Sequence, residues 1–562
     1  MSPPGPPAGR PGGVVPPAAP VPPAPPAAPA PAGTRPAPDC TKDAAELAKL
    51  PRSRQRPLRG TARSGGRWPA TGGNQVVGYT TGRCCFNDIA AAIDTATQPA
   101  HRVYLAGWWI SPDTWLRDPP APPAKTPYLL SDVLRGSPAQ IRSLTWRPPV
   151  VFGAIPDNKP WVDFVNGLPN GAAIGDGKLP GPRTDGTGGL LQGVHHQKIV
   201  VVVGYRGTIA FLGGMDLNNT RISNQGVEPL HDVHLRLTGP AAARVLETFK
   251  ERWTDHPDAP ALEAARFGAG RGDPFRGAFP DPVPQADARV PTVTLPPGAR
   301  RQDRVVRVGR TYADLRRFQG SAPYAFAPGG EHTALDMLVD GIRTARETIY
   351  VEDQYLSSAI VRAELVKKLA EPGFRQLLLL VCNSDAIATA EFGFLRIFRN
   401  EFRRDLLAAD PGKSRWGMYA LKPCPDPVRR WFAGEYVHSK TWIFDDEYAI
   451  VGSANCTDRS YTFDSEITAG VGESGFVPPG PDAFAGALRV SLWHKHLGVP
   501  HNLVRDWTAG LKVWRKPPPS AMIFDASALE TDPTLGVAFP QDAGQTEAVR
   551  RGREFYDTDG LH

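Results

Sequence analysis

The sequence predicts an α/β protein made of two similar halves, and three observations lead to this prediction. Predicted strands and helices alternate through each half, which is the pattern of a layered α/β fold. A helix followed by a buried strand occurs twice, with the strands at 102–109 and 348–355. A short motif, His-x-Lys on an alternating apolar run, also occurs twice, at His196 and at His438.

The two repeats are separated by nearly the same distance along the chain. Val103 and Ile349, in the paired strands, are 246 residues apart, and His196 and His438 are 242 residues apart. Agreement to within four residues over such a distance indicates an internal duplication.

Apolar positions at helical or strand spacing define the elements of each half. For the first half they predict a helix at 86–95, a strand at 102–109 and a closing helix at 240–253. For the second half they predict strands at 304–308, 348–355 and 376–381, and helices at 332–346 and 392–404. The last of these helices carries arginines on one face, which suits contact with a membrane, although a core-packed helix with a solvated basic face is commoner.

Composition divides the chain into five segments. Residues 1–75 are Pro/Ala-rich and then basic, and we expect them to be disordered. The first half spans 76–254, a Pro-rich linker spans 255–300, the second half spans 301–510, and an irregular tail spans 511–562. A Gly- and Pro-rich stretch at 166–193 leads into the first motif, and we interpret it as an active-site lid, with a disordered insertion as the alternative.

Charge, cysteines and hydropathy bound the functional class. The 562-residue chain has a formal net charge of +7, which is compatible with anionic phospholipid or nucleic acid and points to neither. Its six cysteines lack CxxC spacing, so we expect mostly thiols and no bridge between Cys84 and Cys85. The sequence shows no apolar run of transmembrane length and no Sec-type signal, which favours the cytoplasm but leaves the compartment, including specialised export, open.

The repeated motif suits phosphate chemistry. Residues two apart on a strand point to the same face, so His196 shares a face with Lys198, and His438 with Lys440. The ammonium can neutralise a phosphate while the imidazole attacks phosphorus or donates a proton. Each motif is followed by a small-residue segment, Gly213-Gly214-Met215-Asp216 in the first half and Gly452-Ser453-Ala454-Asn455 in the second.

The second motif follows the pattern H-x-K-x4-D-x6-G-S-x-N at His438, Lys440, Asp445, Gly452, Ser453 and Asn455. This resembles the phospholipase D superfamily over roughly 76–498, and the first copy, with its doubled His, resembles the N-terminal motif of two-motif members. The resemblance implies a duplicated α/β sandwich whose halves pack face to face about a pseudo-two-fold axis, with both motifs at the interface. Because one chain holds both motifs, we expect a monomer.

The resemblance also implies a covalent mechanism that needs no metal or other cofactor. One histidine forms a phosphohistidine, and the other protonates the leaving alcohol and then activates water. By analogy His196 is the nucleophile and His438 the acid/base, an order that the residues alone leave open.

Further roles follow from the same resemblance. Glu466 in the second half and Asp232 in the first stand where the family keeps carboxylates that orient the histidines. The remaining candidates would contact the phosphate or line the site: Lys198, Lys440, Asn455, Ser453, Asp216 and Gly214.

The first motif departs from the pattern at one position. The resemblance places Asp445 of the second copy in the catalytic group, as a supporting residue and not the nucleophile. In the first copy the Asp expected five residues after Lys198 is Val203. We expect activity to survive this change, with a degenerate first half as the alternative. A rival interpretation makes His195, His196, His231 and His234 metal ligands, but no zinc-type motif accompanies them.

Three functions fit these residues. The favoured one is a phospholipase D that hydrolyses glycerophospholipids, such as phosphatidylcholine, at a membrane surface. The second is phosphatidyl transfer, as in cardiolipin synthesis, or nuclease action in the same site, with nucleic acid the less favoured partner. The third is a non-catalytic phospholipid- or nucleic-acid-binding protein.

Overall fold

A computed structural model describes residues 70–117, 128–148, 157–180, 183–184, 190–191, 193–222, 230–268, 304–318, 322–383, 393–422, 436–473 and 483–529. The expected disordered segment up to residue 69, the Pro-rich stretch at 269–300 and the end of the chain lie outside these residues. Within them, no helix is both long enough and apolar enough to cross a membrane.

Most strands join one 16-stranded sheet. The strands of its first half are β1 (Thr71–Tyr79), β2 (Arg102–Gly107), β5 (Gln140–Trp146), β6 (Gly171–Asp176), β9 (Ile199–Gly204), β10 (Gly207–Gly213) and β12 (His234–Thr238). The strands of its second half are β13 (Arg304–Tyr312), β14 (Glu331–His332), β15 (Thr348–Asp353), β16 (Gln376–Val381), β17 (Trp416–Leu421), β19 (Lys440–Phe444), β20 (Tyr448–Gly452), β21 (Glu466–Glu473) and β22 (Ile523–Asp525). Short pairs lie outside this sheet: β3 (Trp115–Arg117) with β4 (Tyr128–Leu129), β7 (Arg183–Thr184) with β8 (Leu190–Leu191), and β11 (Leu230–His231) with β18 (Tyr436–Val437).

The strand order confirms the predicted duplication. From the centre outwards, one half runs β1-β12-β10-β9-β2-β5-β6 and the other runs β13-β21-β20-β19-β15-β16-β17. The two central strands, β1 and β13, pair antiparallel, as expected for strands related by a local two-fold axis. β10 also lies against β20 and β21 without pairing with them, so the two half-sheets face each other.

Helices cover the sheet on both sides. They are α1 (Gly82–Ile93), α2 (Leu130–Arg135), α3 (Lys159–Gly167), α4 (Pro240–Thr254), α5 (Ala259–Phe267), α6 (Thr333–Thr344), α7 (Ala359–Ala370), α8 (Gly393–Ala409), α9 (Asp458–Thr462), α10 (Phe484–Leu497), α11 (His501–Arg505) and α12 (Trp507–Arg515). A central core is shared by the inner faces of both half-sheets, α4 and α10. A separate outer core lies under α1–α3 and another under α6–α8.

The structure corrects several sequence expectations. Gly171–Asp176, placed in the proposed lid, is a sheet strand because it pairs with β5 along its length. Ala259–Phe267 is a helix inside the expected linker, and Trp507–Arg515 and Ile523–Asp525 give the expected irregular tail regular structure. β1 begins at Thr71, before the expected start of order at Val76.

The basic helix α8 packs into the core. Arg399 and Arg403 on the expected solvated face are buried. The Arg399 guanidinium donates hydrogen bonds to the backbone carbonyls of Gln354, Tyr355 and Cys382. Arg399 therefore holds loops together, and neither buried arginine is available to a membrane surface.

The cysteines agree in part with expectation. Cys85, Cys382 and Cys456 are thiols, whereas Cys84 is disulfide-bonded. Since Cys85 is a thiol, the adjacent pair does not bridge itself.

Candidate active site

Two short parallel contacts between the halves bring the motifs together. His195 bridges to Ser465, and the His196 backbone N–H donates to the Ser465 carbonyl at 2.9 Å. β11 pairs with β18, and the His438 N–H donates to the His231 carbonyl at 2.8 Å. Each motif histidine therefore stands beside a segment of the opposite half.

Each histidine is held by a carboxylate from the other half. His196 Nδ1 lies 2.9 Å from Glu466 Oε1, and His438 Nδ1 lies 2.7 Å from Asp232 Oδ2. The sequence placed one carboxylate in each half, and the structure shows that the pairs cross the interface. An ionised carboxylate fixes Nδ1 as the protonated nitrogen, which leaves Nε2 for chemistry.

Ser453 supports the Glu466 side of the site. Its hydroxyl donates to Glu466 Oε2, and the Ile467 N–H donates to the same hydroxyl at 3.0 Å. The sequence placed Ser453 against the substrate, but here it orients the carboxylate. Burial raises the pKa of Glu466 to about 7, against the lowering effect of Lys198.

The two motif lysines are buried beside the histidines. Lys198 Nζ donates to the His196 carbonyl at 3.0 Å and lies 3.4 Å from Asp216 Oδ2. Lys440 Nζ donates to Gln354 Oε1 at 3.1 Å and lies 3.0 Å from His438 Nδ1. Burial lowers the pKa of both lysines, that of Lys440 to about 7.

Arg221 is a third cation that sequence reasoning missed. Its guanidinium lies 3.2 Å from Asp232 Oδ2, 3.5 Å from Asp216 Oδ2 and 3.2 Å from His438 Nδ1. It stands five residues after Asp216, and Ser460 has the same spacing from Asn455. Because Ser460 carries no charge, a comparison of the two copies gives no motif that would single out Arg221.

The histidines differ in the charges around them, because the position equivalent to Arg221 is the uncharged Ser460 in the second half. Burial, Lys440 and Arg221 hold the pKa of His438 well below its usual value. Burial, Lys198 and Lys440 do the same for His196. Both imidazoles are therefore neutral in the free protein at neutral pH.

Asp216 and Asn455 occupy equivalent positions with different surroundings. Asp216 Oδ1 accepts the backbone N–H groups of Trp108 and Trp109, each at 3.1 Å. Asn455 is buried, and its Oδ1 has no hydrogen-bond partner among the described residues. Asn455 therefore keeps hydrogen-bonding capacity for a ligand, whereas Asp216 holds the backbone at Trp108 and Trp109 in place.

Trp108 forms a wall next to His196. The two rings meet edge to face with centroids 6.4 Å apart, and Trp108 stacks on Trp146 at 6.2 Å. Asn158 Nδ2 donates to the carbonyls of Trp108 and Trp146 at 2.8 and 2.9 Å, so both loops are held in place.

Gly214, predicted to contact substrate, lies instead against the Asp232 carboxylate. A Cβ at this position would stand 2.0 Å from Asp232 Oδ1, so any side chain displaces that carboxylate. We expect Gly214→Ala to lower turnover about 100-fold, because the displaced Asp232 carboxylate no longer orients the His438 ring. Steady-state rates beside thermal unfolding check this, and near-wild-type turnover would contradict the assigned contact.

Asp445 lies away from the histidines, contrary to its predicted catalytic role. Its carboxylate accepts the backbone N–H groups of Arg346, Glu347 and Thr348, each at 2.8 Å. It follows the end of β19, five residues after Lys440, which at about 3.3 Å per residue is on the order of 15 Å from the site. Val203, at the matching position, is a buried core residue, so the missing first-half Asp removes no site group.

We expect Asp445→Ala to destabilise the fold without slowing chemistry. Three backbone donors lose a charged acceptor, which costs about 2 kcal/mol of unfolding free energy. Urea denaturation should show this loss while kcat of the folded fraction stays within about two-fold. A kcat loss beyond 100-fold would return Asp445 to the catalytic group.

The four histidines of the rival metal interpretation separate in the structure. His195 contacts Asp176, His196 contacts Glu466, and His234 Nδ1 accepts the Met215 N–H at 3.3 Å. Only His231 takes part in a possible ligand group within the described residues, together with Glu352 and His496.

Comparisons with known proteins agree with this geometry. Residues 428–513 match the family profile described as Phospholipase D. Phospholipase D alpha 1 of Zea mays is 23% identical over 550 residues, covering 74% of this chain and 63% of that protein. Phospholipase D alpha 1 of Ricinus communis is 25% identical over 548 residues, covering 77% of this chain and 65% of that protein. The chain thus spans just under two thirds of the length of these relatives.

Solved structures give weaker matches. The phosphatidylserine synthase of Haemophilus influenzae Rd KW20 aligns with a TM-score of 0.45 and 12% identity, over 91% of this chain and 96% of that chain. A phospholipase D family member from Salmonella typhimurium aligns with a TM-score of 0.20 and 12% identity, over 30% of this chain and 84% of that chain.

Proposed function

The chain belongs to the phospholipase D superfamily, and from that premise we propose that it hydrolyses glycerophospholipids, such as phosphatidylcholine, to phosphatidic acid and free head group. One observation carries the proposal. Two neutral histidines, each held at Nδ1 by a carboxylate of the opposite half, lie among three buried basic side chains, Lys198, Lys440 and Arg221.

The proposed reaction has two steps. His196 Nε2 attacks phosphorus, the bond from phosphorus to the head-group oxygen breaks, and His438 donates its proton to that oxygen. Water then attacks the phosphohistidine, gives a proton back to His438 and releases phosphatidic acid. Lys198, Lys440 and Asn455 bind the non-bridging oxygens, where negative charge grows in the transition state.

Protonation of His438 follows from charge balance. The acid role needs a proton that the free protein lacks, since burial, Lys440 and Arg221 lower the pKa of His438. A bound phosphodiester adds one negative charge beside the imidazole, which raises that pKa and favours proton uptake. Substrate binding thereby prepares the acid.

The position of the Trp108 ring favours choline as the head group of the substrate. A quaternary ammonium is attracted to an indole face, and this ring is half-buried and fixed next to His196. We therefore expect phosphatidylcholine to be a better substrate than phosphatidylglycerol.

Head-group release from vesicles of each lipid, with ethanol added, tests the proposal. The expected result is free choline together with phosphatidylethanol, because an alcohol competes with water for the same intermediate. If the phosphatidyl group goes only to ethanol and never to water, the protein is a phosphatidyltransferase and not a hydrolase. Absence of turnover on every phospholipid, with cleavage of single- or double-stranded DNA, would replace the lipase by a nuclease.

A non-catalytic binding protein is distinguished by one variant. Vesicle binding should persist in His438→Ala, while turnover should be lost. Equal binding and no turnover in both the wild type and the variant would contradict the enzyme proposal.

A further inference from the structure

Two buried histidine–carboxylate pairs lie directly behind the proposed reacting groups and have no part in the mechanism above. His195 Nδ1 lies 2.8 Å from Asp176 Oδ2, and His231 Nε2 lies 2.7 Å from Glu352 Oε2. All four side chains are at most 2% exposed. His195 immediately precedes His196, and His231 immediately precedes Asp232.

Each of the two pairs lies at one of the two contacts between the halves. His195 is the residue that bridges to Ser465, and the next residues along the two segments are His196 and Glu466. His231 pairs with Val437, and the next residues are Asp232 and His438. Each anchored histidine therefore sits one residue before one of the two histidine–carboxylate pairs of the site.

The first anchor is fixed by an arginine. Arg252 from α4 donates to both oxygens of Asp176, at 2.8 and 2.7 Å. Burial alone would raise the pKa of Asp176, but Arg252 and His195 lower it, so the carboxylate is ionised and accepts from His195.

The second anchor is fixed from α10 and β15. His496 Nε2 lies 2.8 Å from Glu352 Oε1, and the Tyr350 hydroxyl donates to the same oxygen at 2.7 Å. Lys495 Nζ lies 3.1 Å from His231 Nδ1. Burial alone would raise the pKa of Glu352, but His231 and His496 hold it well below its usual value, so the carboxylate is ionised. It therefore accepts the Nε2 proton of His231, which argues against a metal ion on that nitrogen.

We propose that His195 and His231 are positioning residues, each locking one segment of the interface so that the adjoining pair, His196–Glu466 or His438–Asp232, stays in register. This inference rests on the proposed function. A displacement of about 1 Å at a reacting group can cost on the order of 100-fold in rate, so an anchor one residue away affects kcat before it affects binding.

The two anchors use different ring nitrogens, which allows a crossed test. The amide nitrogen of Gln can take the place of Nε2, and that of Asn the place of Nδ1. His231→Gln and His195→Asn should therefore keep the anchoring hydrogen bond. His231→Asn and His195→Gln introduce the same amide group, but its nitrogen lies at the wrong distance from the backbone to reach Glu352 or Asp176.

Choline release from phosphatidylcholine vesicles should follow this pattern. We expect kcat within about three-fold of wild type for His231→Gln and His195→Asn, and at least ten-fold lower for His231→Asn and His195→Gln, with KM changed less than two-fold. Thermal midpoints measured on all four variants separate anchoring from stability. Equal kcat losses for Gln and Asn at each position, or losses that follow the midpoints, would overturn the proposal.

A second readout needs no turnover. Histidine ¹⁵N spectra report which ring nitrogen carries the proton, with His196 and His438 assigned from their single Gln variants. His231→Asn should allow His438, and not His196, to mix tautomers, and His195→Gln should do the reverse. If the wild type does not turn over phospholipid, the proposed function fails while this test still stands, and unchanged tautomers in both variants would overturn the anchoring proposal.

Discussion

Replacing either His196 or His438 by alanine should lower phosphodiester turnover by about four orders of magnitude or more. Each replacement removes a group that forms or breaks a bond, and loss of a nucleophile or of a general acid has effects of this size. The two losses should not add in the double variant, because neither histidine completes the reaction without the other. Choline release by the single and double variants measures this.

Asp445→Asn provides the matched control for these variants. Asn keeps the positive φ of +51° that this residue adopts, and the position lies outside the site. Its kcat should stay close to wild type. A loss in either histidine variant that is no larger than in Asp445→Asn would exclude the two-histidine mechanism.

Glu466→Gln should remove the acid limb of the pH profile as well as slow the reaction. Burial raises the pKa of Glu466 to about 7. Below that pH the protonated carboxyl donates to His196 Nδ1, which forces the ring proton onto Nε2 and blocks attack. Above it the ionised carboxylate accepts from Nδ1 and frees Nε2, so kcat/KM of the wild type should rise with pH through about 7.

A glutamine at this position cannot ionise, so the rise should disappear and turnover at pH 8 should fall about 100-fold. Asp232→Asn is the matched variant, since it alters the carboxylate on His438 and should retain the rise near pH 7. If the rise of kcat/KM with pH persists unchanged in Glu466→Gln, a group other than Glu466 causes it.

The same ionisation has a stability consequence with a definite sign. A carboxyl group whose pKa is raised by folding stabilises the native state fully below its ordinary pKa, and that stabilisation is lost as the pH rises through about 7. Unfolding free energies of wild type and Glu466→Gln should therefore stay parallel at acid pH, separate as the pH rises towards about 7, and differ by a constant amount above it.

Several strands and both motif positions could be predicted because the information is local. Gln376–Val381 has the predicted bounds, since a continuous apolar run leaves little choice for a buried parallel strand. β6 was missed because its small residues, Gly171 to Asp176, have little strand propensity and become a strand only by pairing with β5. Local pattern therefore identifies strong strands and overlooks weak ones.

The site was predictable as a set of residues but not as a set of contacts. Glu466 and Asp232 each contact the histidine of the opposite half. These contacts depend on the pairings of His195 with Ser465 and of β11 with β18, which join segments more than 200 residues apart. Arg221 lies on a short turn with no motif of its own. Asp445 could have been placed correctly from sequence, because five residues of extended strand carry it too far from Lys440 to share a site.

The covalent intermediate is the central claim, and trapping it tests that claim most directly. Rapid acid-free quenching during turnover of phosphatidylcholine, followed by digestion and mass spectrometry, should find a phosphatidyl adduct on His196 of the wild type. The adduct should be absent from His196→Ala. An adduct on His438 would reverse the two roles, and full turnover with no histidine adduct and no phosphatidylethanol in the presence of ethanol would contradict the mechanism.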